Sequence, residues 1–333
     1  MRILLVGGSN LIGHYLISLL MNEGHQLTVI TRGHRPLPHR PTRHMVGDRT
    51  EIFNRSTIKG EFDAVIDTVA YHAADCETLL STLSGRMNHY LVISTAFVYP
   101  HLEHPIRPYQ EHDAAFTEPP LPPMEPDSAH DAYVYGKRQM EHWLWNQGCH
   151  YQPKITVIRP LLQMVGPNTN DGRFAWFWLR VKDGGPIWLP DEARRKAGPC
   201  QLAFSGDVAQ MIASALKHVP ASFAVYNAGQ PELWTYEEYL RLMAETTGRS
   251  PDIRYAPRET LDQWAGGIYR IPLPYPIAFD VSHAMQNLHL TATPMRYWVL
   301  QTGDWMSRHY AHATPPWYQS REKEWAWGSG GGN

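Results

Sequence analysis

The chain has 333 residues, 43% of them hydrophobic, which is enough for one large domain or two modest ones with a sizeable core. Its 30 basic and 32 acidic residues give a net charge of −2, which argues against non-specific binding to nucleic acid or anionic membranes and favours a small-molecule partner. Few cysteines, no leader-like segment and no long apolar run together predict a cytoplasmic protein.

The first elements of the chain form a βαβ pattern. Arg2–Val6 is a short apolar run, typical of a parallel strand that is covered on both faces. Apolar residues then recur at helical spacing from Leu11 to Leu20, and Gly24 provides a stop signal. Gln26–Ile30 is the next predicted strand. In such a unit, backbone amides at the helix N-terminus can hold a pyrophosphate.

The turn between the first strand and the helix has the spacing Gly7-x-x-Asn10-x-x-Gly13. It resembles the T-G-x-x-G-x-x-G turn of the extended short-chain dehydrogenase/reductases, the NAD-dependent epimerases and dehydratases among them. Asn10 favours an atypical branch that resembles the chloroplast stem-loop-binding proteins and related bacterial reductases. Asparagine tolerates positive φ, so we expect the turn to form, with the Asn10 side chain where phosphates approach. The resemblance implies cofactor contacts from Gly7, Asn10, Leu11, Ile12 and Gly13. Taken alone, such a turn can also bind nothing.

The second strand ends in Thr31-Arg32, where an NAD-binding protein usually has an acidic residue for the ribose. Arg32 and Arg35 can instead pair with a 2′-phosphate, so NADP is favoured and NAD is the alternative. Arg32 can equally be a solvated loop charge. Residues 34–44 are rich in proline, histidine and arginine and are predicted to form a surface loop. Asp48 then resembles the family's G-D pair, which implies a place beside the adenine.

Two further strands precede the candidate catalytic residues. The first is predicted at 62–70, and we expect Val69 and Ala70 at its end to contact the cofactor. The second, 90–95, runs into a segment that resembles the family's S-S/T-x-x-V-Y pattern. That resemblance implies that the Thr95 hydroxyl contacts the reacting oxygen. The family's dehydratases carry an Asp-Glu pair directly after this hydroxyl, whereas this chain has Ala96-Phe97, which disfavours dehydration.

Tyr133 and Lys137 resemble the family's Y-x-x-x-K pair. On a helix, residues four apart share a face, so the phenol and the ammonium are expected to be neighbours. The ammonium is then expected to lower the pKa of the phenol, so that Tyr133 can act as the acid or base. Lys137 is also implied to hold the nicotinamide ribose. By itself, such a pair is usually an aromatic residue beside a surface cation.

The predicted fold is α/β, a doubly wound parallel Rossmann sheet with a smaller C-terminal substrate lobe. The aromatic helix around Trp176 and Trp178 is predicted to be core, a dimer face or the wall of a substrate pocket. The sequence is therefore compatible with a homodimer. The expected divisions are a dinucleotide-binding domain at 1–165 with 201–230 returning to it, a substrate lobe at 166–200 and 231–327, and a flexible tail at 328–333.

Three signals in the family's order, the glycine turn, Thr95 and the Tyr133–Lys137 pair, together predict an NADP-dependent oxidoreductase that acts on a small alcohol or carbonyl. One alternative is a redox-neutral sugar-nucleotide epimerase. The other is a non-catalytic protein on the same fold that binds nucleic acid or senses a cofactor. No metal is expected, because the H-x-x-H pair of His101 and His104 falls in a proline-rich segment without a helix to fix the ligands.

Overall fold

The computed structural model describes residues 1–54, 57–99, 107–114, 118–120, 128–151, 153–161, 163–168, 172–194, 201–265, 277–309 and 321–328. A seven-stranded parallel sheet forms the centre of the molecule. Its strands are β1 (Arg2–Val6), β2 (Gln26–Thr31), β3 (Arg43–Val46), β4 (Phe62–Asp67), β5 (Met87–Ile93), β6 (Lys154–Pro160) and β10 (Phe223–Ala228).

The spatial order of this sheet is β10-β6-β5-β4-β1-β2-β3. The chain builds outward from β1 through β2 to β3, and then returns to the other side of β1 to build β4, β5 and β6. The strand order therefore reverses at β1. In open parallel sheets, ligands bind beyond the carboxyl ends of the strands at such a reversal.

Helices cover both faces of the sheet. Alternate residues of β1 belong to different cores: Ile3 and Leu5 pack with α1 (Leu11–Asn22) and α7 (Ser205–Lys217), while Leu4 and Val6 pack with α3 (Ala73–Thr82) and α4 (Ala129–Asn146). This two-sided burial explains why β1 is apolar throughout. A short helix, α2 (Arg49–Asn54), follows β3.

Most of the remaining elements surround a third, aromatic core, whereas α10 (Ser282–Asn287) packs into the first core through Ala284. The elements of the third core are β7 (Met164–Val165), α5 (Gly172–Asp183), β8 (Pro186–Pro190), α6 (Asp191–Arg194), β9 (Ala203–Phe204), α8 (Tyr236–Thr247), β11 (Asp252–Ala256), α9 (Arg258–Ala265), α11 (Met295–His309) and α12 (Arg321–Gly328). Trp176 and Trp178 on α5 are buried in this core beside Tyr239 and Trp298. The aromatic helix is therefore core. No helix within the described ranges is long and apolar enough to cross a membrane.

Several boundaries differ from the sequence-based expectation. β4 ends at Asp67 rather than at residue 70, and β5 spans Met87–Ile93 rather than 90–95. β3 begins at Arg43, inside the predicted surface loop. The sequence did not reveal this strand because it lies at the edge of the sheet, and its residues are mostly exposed and show no alternation of apolar and polar residues. α4 is longer than the motif that revealed it, and the Ser128 side chain caps its start by accepting a hydrogen bond from the Asp131 amide at 3.2 Å. Of the predicted tail, residues 329–333 lie outside the described residues.

Candidate active site

The turn after β1 needs glycine for space and for backbone conformation. Gly7 and Gly8 have φ of 101° and 104°, which disfavour side chains. A Cβ on Gly7 would lie 2.1 Å from the Thr68 hydroxyl, and one on Gly13 would lie 2.0 Å from the Gly8 carbonyl oxygen. Helix α1 therefore starts as close to the strand end as backbone atoms allow, which is the geometry of a phosphate-binding turn.

Asn10 does not have the positive φ that we expected from the sequence. Its φ is −101°, and it is the N-cap of α1: its side-chain oxygen accepts a hydrogen bond from the Gly13 amide at 2.9 Å. The amide nitrogen donates to the Thr68 hydroxyl at 3.2 Å. The expectation was wrong because the reversal is completed at Gly7 and Gly8, directly after the strand.

The next two residues of the turn can offer only backbone groups to a cofactor. The side chains of Leu11 and Ile12 are buried in the core. Their amides belong to the first turn of α1, where no intrahelical acceptor exists. We therefore expect the amides of Leu11 and Ile12 to be the phosphate-binding groups, since the Gly13 amide is bound by Asn10.

A cleft of about 690 Å³ opens above the carboxyl ends of β1, β2, β3 and β4. Six of the sequence-predicted cofactor residues line it: Gly7, Asn10, Arg32, Arg35, Asp48 and Val69. Leu11, Ile12, Gly13 and Ala70 lie in the same turns but do not form its wall. Lys137 and the catalytic candidates Thr95 and Tyr133 do not line it either. The volume suits a ligand larger than a few atoms. The structure thus brings the predicted residues to one side of the sheet.

At the outer end of the cleft, the two arginines are solvent-exposed. Asp48 is also exposed, and its carboxylate accepts a hydrogen bond from the Thr50 amide at 2.8 Å. No acidic side chain ends β2, whose last residue, Thr31, hydrogen-bonds His44 at 2.8 Å through its hydroxyl. Positive charge therefore dominates the cleft wall beyond β2.

The floor of the cleft contains an ion pair that the sequence did not reveal. Arg49 donates to both carboxylate oxygens of the fully buried Asp67, at 3.0 and 2.7 Å. The Tyr90 hydroxyl donates to the same carboxylate at 3.2 Å. Arg49, Tyr71 and His72 all line the cleft. The sequence could have indicated Arg49, Tyr71 and His72 as cleft residues, because they follow β3 and β4 closely and so lie at the carboxyl edge of the sheet.

Thr95 and Tyr133 meet near the end of β5. Thr95 is buried, and its hydroxyl accepts a hydrogen bond from the Phe97 amide at 3.3 Å. Burial raises the pKa of Tyr133, and the neighbouring Thr95 side chain opposes the increase only in part. The sequence-based expectation of a lowered phenol pKa is therefore wrong for this structure. The cause is the partly buried position of the ring, which penalises the phenolate.

Lys137 lies beneath the two aromatic rings of Tyr71 and Tyr133, and only 3% of its surface is exposed. Its ammonium donates to the carbonyl oxygens of Ala70 at 2.6 Å and Ile93 at 2.7 Å. Burial lowers the pKa of Lys137 to about 8. The ammonium is 5.9 Å from the centre of the Tyr133 ring. Its hydrogen bonds thus go to the backbone of two strand ends rather than to the phenol.

A buried polar network lies behind this trio. Glu141, one turn beyond Lys137 on α4, accepts hydrogen bonds from Arg159 on β6 at 2.7 and 3.1 Å, and from the Ser94 hydroxyl. Arg159 also donates to the Tyr99 hydroxyl at 2.8 Å. The network ties α4 to the ends of β5 and β6, and so fixes the neighbourhood of Thr95.

No three or more His, Cys, Asp or Glu side chains within the described part of the chain come close enough to hold a metal ion. The pair of His101 and His104 lies outside the described residues. The cleft lining includes backbone amides, three arginines, the Tyr71 phenol and the carboxylates of Asp48 and Asp75. These groups suit a phosphate-bearing organic ligand and proton transfer.

Comparison with known sequences gives two matches. The profile of the NAD dependent epimerase/dehydratase family matches residues 3–229. The chloroplast stem-loop binding protein of 41 kDa b from Arabidopsis thaliana is 30% identical over 276 residues, which cover 78% of this chain and 67% of that protein.

Solved structures show the same fold. A UDP-glucose 4-epimerase superposes with a TM-score of 0.73 at 14% identity, over 95% of this chain and all of the other. The Thermus thermophilus UDP-glucose 4-epimerase in complex with NAD gives 0.66 at 21% identity, over 94% and 100% of the two chains. The UDP-N-acetylglucosamine 4-epimerase from Bacillus cereus gives 0.66 at 16%, over 95% and 99%. The predicted doubly wound α/β fold is confirmed.

Proposed function

Because this chain belongs to the NAD-dependent epimerase/dehydratase family, we propose that it is an NADP-dependent oxidoreductase acting on an alcohol or carbonyl of a small molecule. The main support is the convergence of three side chains, Thr95, Tyr133 and Lys137, beside Tyr71 of the cleft wall. The Thr95 side chain neighbours Tyr133, and the Lys137 ammonium lies 5.9 Å from the centre of the Tyr133 ring. These are the groups needed to transfer a proton to or from the reacting oxygen.

The cleft residues fit a nicotinamide dinucleotide. The glycine turn brings the start of α1 against the end of β1, where the amides of Leu11 and Ile12 suit the pyrophosphate. Arg32 and Arg35 line the opposite wall and are exposed, so their planar guanidinium groups can bind a 2′-phosphate. An acidic ribose partner is missing from the end of β2. These features support NADP over NAD.

The nicotinamide, when bound, supplies the carbon that donates or accepts the hydride. In the reduction direction, the Tyr133 phenol donates its proton to the carbonyl oxygen, and Thr95 hydrogen-bonds the same oxygen. Lys137 has three donors, of which two are bound by carbonyls, and the third is available to the ribose. Because burial raises the pKa of Tyr133, the phenol keeps its proton at neutral pH, which suits reduction.

The closest alternative is a redox-neutral epimerase. It is supported by the likeness of the fold to 4-epimerases of UDP-sugars. The same phenol can serve both directions of proton transfer in such a reaction. An epimerase would stay loaded with cofactor through purification, and its substrate would produce no lasting change in nicotinamide absorbance.

Nucleic-acid binding is a second alternative, supported by the name of the 30% identical relative. Arg40 and Arg43 extend the exposed basic edge beyond the cleft arginines. The overall charge of −2 speaks against a large electrostatic contribution. RNA affinity that falls steeply with salt would support this alternative.

The experiment starts with the purified protein and mass spectrometry of any ligand released on denaturation. Titration with NADP(H) and NAD(H) then measures affinity, and a panel of small carbonyl compounds with NADPH measures turnover. We expect micromolar or tighter NADPH binding and a decrease in NADPH absorbance with a carbonyl substrate. Absence of binding to both cofactors would refute the proposal. Bound cofactor with isomerised sugar nucleotide and no net absorbance change would replace it with the epimerase.

A further inference from the structure

Tyr71 is an aromatic residue at the cleft that the Thr95, Tyr133 and Lys137 scheme does not use. It follows β4 by four residues, is 47% exposed and lines the cleft. Its ring centre lies 5.0 Å from the Lys137 ammonium and 6.1 Å from the ring centre of Tyr133. Of the two phenols beside the lysine, Tyr71 is thus the nearer one.

The position of Tyr71 is fixed from two directions. The Asp75 carboxylate accepts hydrogen bonds from the amides of Tyr71 and His72, at 2.8 and 3.0 Å. Helix α4 approaches this turn at Gly136, where an added Cβ would lie 2.7 Å from the Tyr71 carbonyl oxygen. Gly136 directly precedes Lys137. The close contact therefore sets the distance between the Tyr71 turn and the lysine.

The surroundings of the ammonium leave little room for water. Two carbonyl oxygens bind it, and the rings of Tyr71 and Tyr133 lie within 6 Å of it. An aromatic face over an ammonium stabilises the charge, and it excludes solvent at the same time. Lys137 is 3% exposed although Tyr71, above it, is half exposed. Tyr71 therefore separates the lysine from the open cleft.

We propose that Tyr71 is a positioning residue of this site, whose ring covers the Lys137 ammonium and directs its remaining N–H to the ribose of the nicotinamide. This inference rests on the function proposed above. In this proposal the aromatic ring of Tyr71 has the positioning effect, and the Tyr71 hydroxyl is not needed for it. The proposal also assigns Tyr71 an effect on Lys137 that can be measured without turnover.

The charges around Lys137 determine the expected direction. The carboxylates of Asp67 on β4, Glu141 on α4 and Asp75 on α3 raise its pKa. The Cys76 thiol on α3 is also nearby but stays uncharged, because burial raises its pKa to about 12. Burial of Lys137 opposes the carboxylates and prevails, so the pKa of Lys137 is about 8. Removing the Tyr71 ring admits water, which favours the ammonium. The pKa of Lys137 should then increase.

The test compares Tyr71→Ala with Tyr71→Phe in protein containing ¹³C-labelled lysine, with the Lys137 resonance assigned by its loss in Lys137→Arg. Tyr71→Phe should titrate as the wild type does. Tyr71→Ala should raise the pKa of Lys137 by about one unit and weaken NADPH binding by about tenfold. Tyr297→Ala is the control, because Tyr297 is 69% exposed and lies on α11. It should change neither measurement.

Tyr71→Leu provides a second test in case the alanine variant unfolds. Leucine still excludes water but lacks the aromatic face, so the pKa of Lys137 should fall below that of the wild type. Unchanged Lys137 titration and NADPH affinity in both Tyr71→Ala and Tyr71→Leu would overturn the inference, as would a phenylalanine variant that behaves like alanine. If the Lys137 shifts appear but the wild type binds no nicotinamide, the proposed function fails and the cover over Lys137 stands.

Discussion

The buried pair of Glu141 and Arg159 should dominate the stability of the region around Thr95. Neither side chain is exposed, and the Glu141 carboxylate accepts hydrogen bonds from the Arg159 guanidinium and from Ser94. In Glu141→Gln the side-chain shape is kept, but the guanidinium loses its counter-charge and one acceptor oxygen becomes a donor. Removing one partner of a buried pair typically costs about 3–5 kcal/mol. We expect a loss of about 3 kcal/mol, because the remaining oxygen still accepts a hydrogen bond.

Urea denaturation followed by circular dichroism measures this loss, provided that the dependence on urea is unchanged between variants. Asp304→Asn is the matched control, because Asp304 pairs with Arg308 on α11 and both side chains are 66% exposed. It should cost about 0–1 kcal/mol. The double variant Glu141→Leu with Arg159→Met should recover much of the stability, since it leaves no unpaired buried charge. A Glu141→Gln variant as stable as the control would refute this account of the network.

Tyr133→Phe should reduce the rate by about 10²–10⁴-fold with cofactor binding retained, whereas Tyr135→Phe keeps most activity; the reverse result would assign the proton transfer to the other phenol. Alcohol oxidation by the wild type should increase with pH, because Tyr133, whose pKa is raised, must first lose its proton. Arg32→Ala should weaken NADP(H) about 10- to 100-fold more than NAD(H), while Arg40→Ala changes neither, and equal losses would remove Arg32 from phosphate recognition. Asn10→Gly should bind the cofactor at least as tightly with a stability loss of a few tenths of a kcal/mol, against about 1 kcal/mol for Asn10→Ala; a large loss of affinity would identify the side chain as a phosphate ligand.

Local patterns predicted most of the fold. β1 is apolar because both of its faces are covered, and α1 and α4 show helical spacing or a cap at their starts. β3 was not predicted because its own residues carry no strand pattern, and it is a strand only through its hydrogen bonds to β2. The glycine turn, the Thr95 segment and the Tyr133–Lys137 pair could each be recognised in the sequence, because each motif is only a few residues long. Their convergence was implied only by resemblance.

What the sequence missed depends on contacts between distant segments. Tyr71 and Lys137 are 66 positions apart in the sequence, and only the fold places the Tyr71 ring over the Lys137 ammonium. The pKa of Tyr133 was predicted with the wrong sign because a helical register shows neighbours but not depth of burial. Arg49 could not be paired with Asp67 from sequence, since a cation in a polar turn resembles any surface arginine.

The cap at the start of α1 changes what a glycine-rich signature means in this fold. The outer positions are tightly constrained, Gly7 by its positive φ and the Thr68 side chain and Gly13 by the Gly8 backbone, so almost any replacement there should be excluded. The middle position accepts glycine but also suits a short side chain that accepts a hydrogen bond from the Gly13 amide, as Asn10 does here. Serine, threonine and aspartate can accept that hydrogen bond as well as asparagine does. A search pattern that demands glycine at this position would therefore overlook chains that build the same turn.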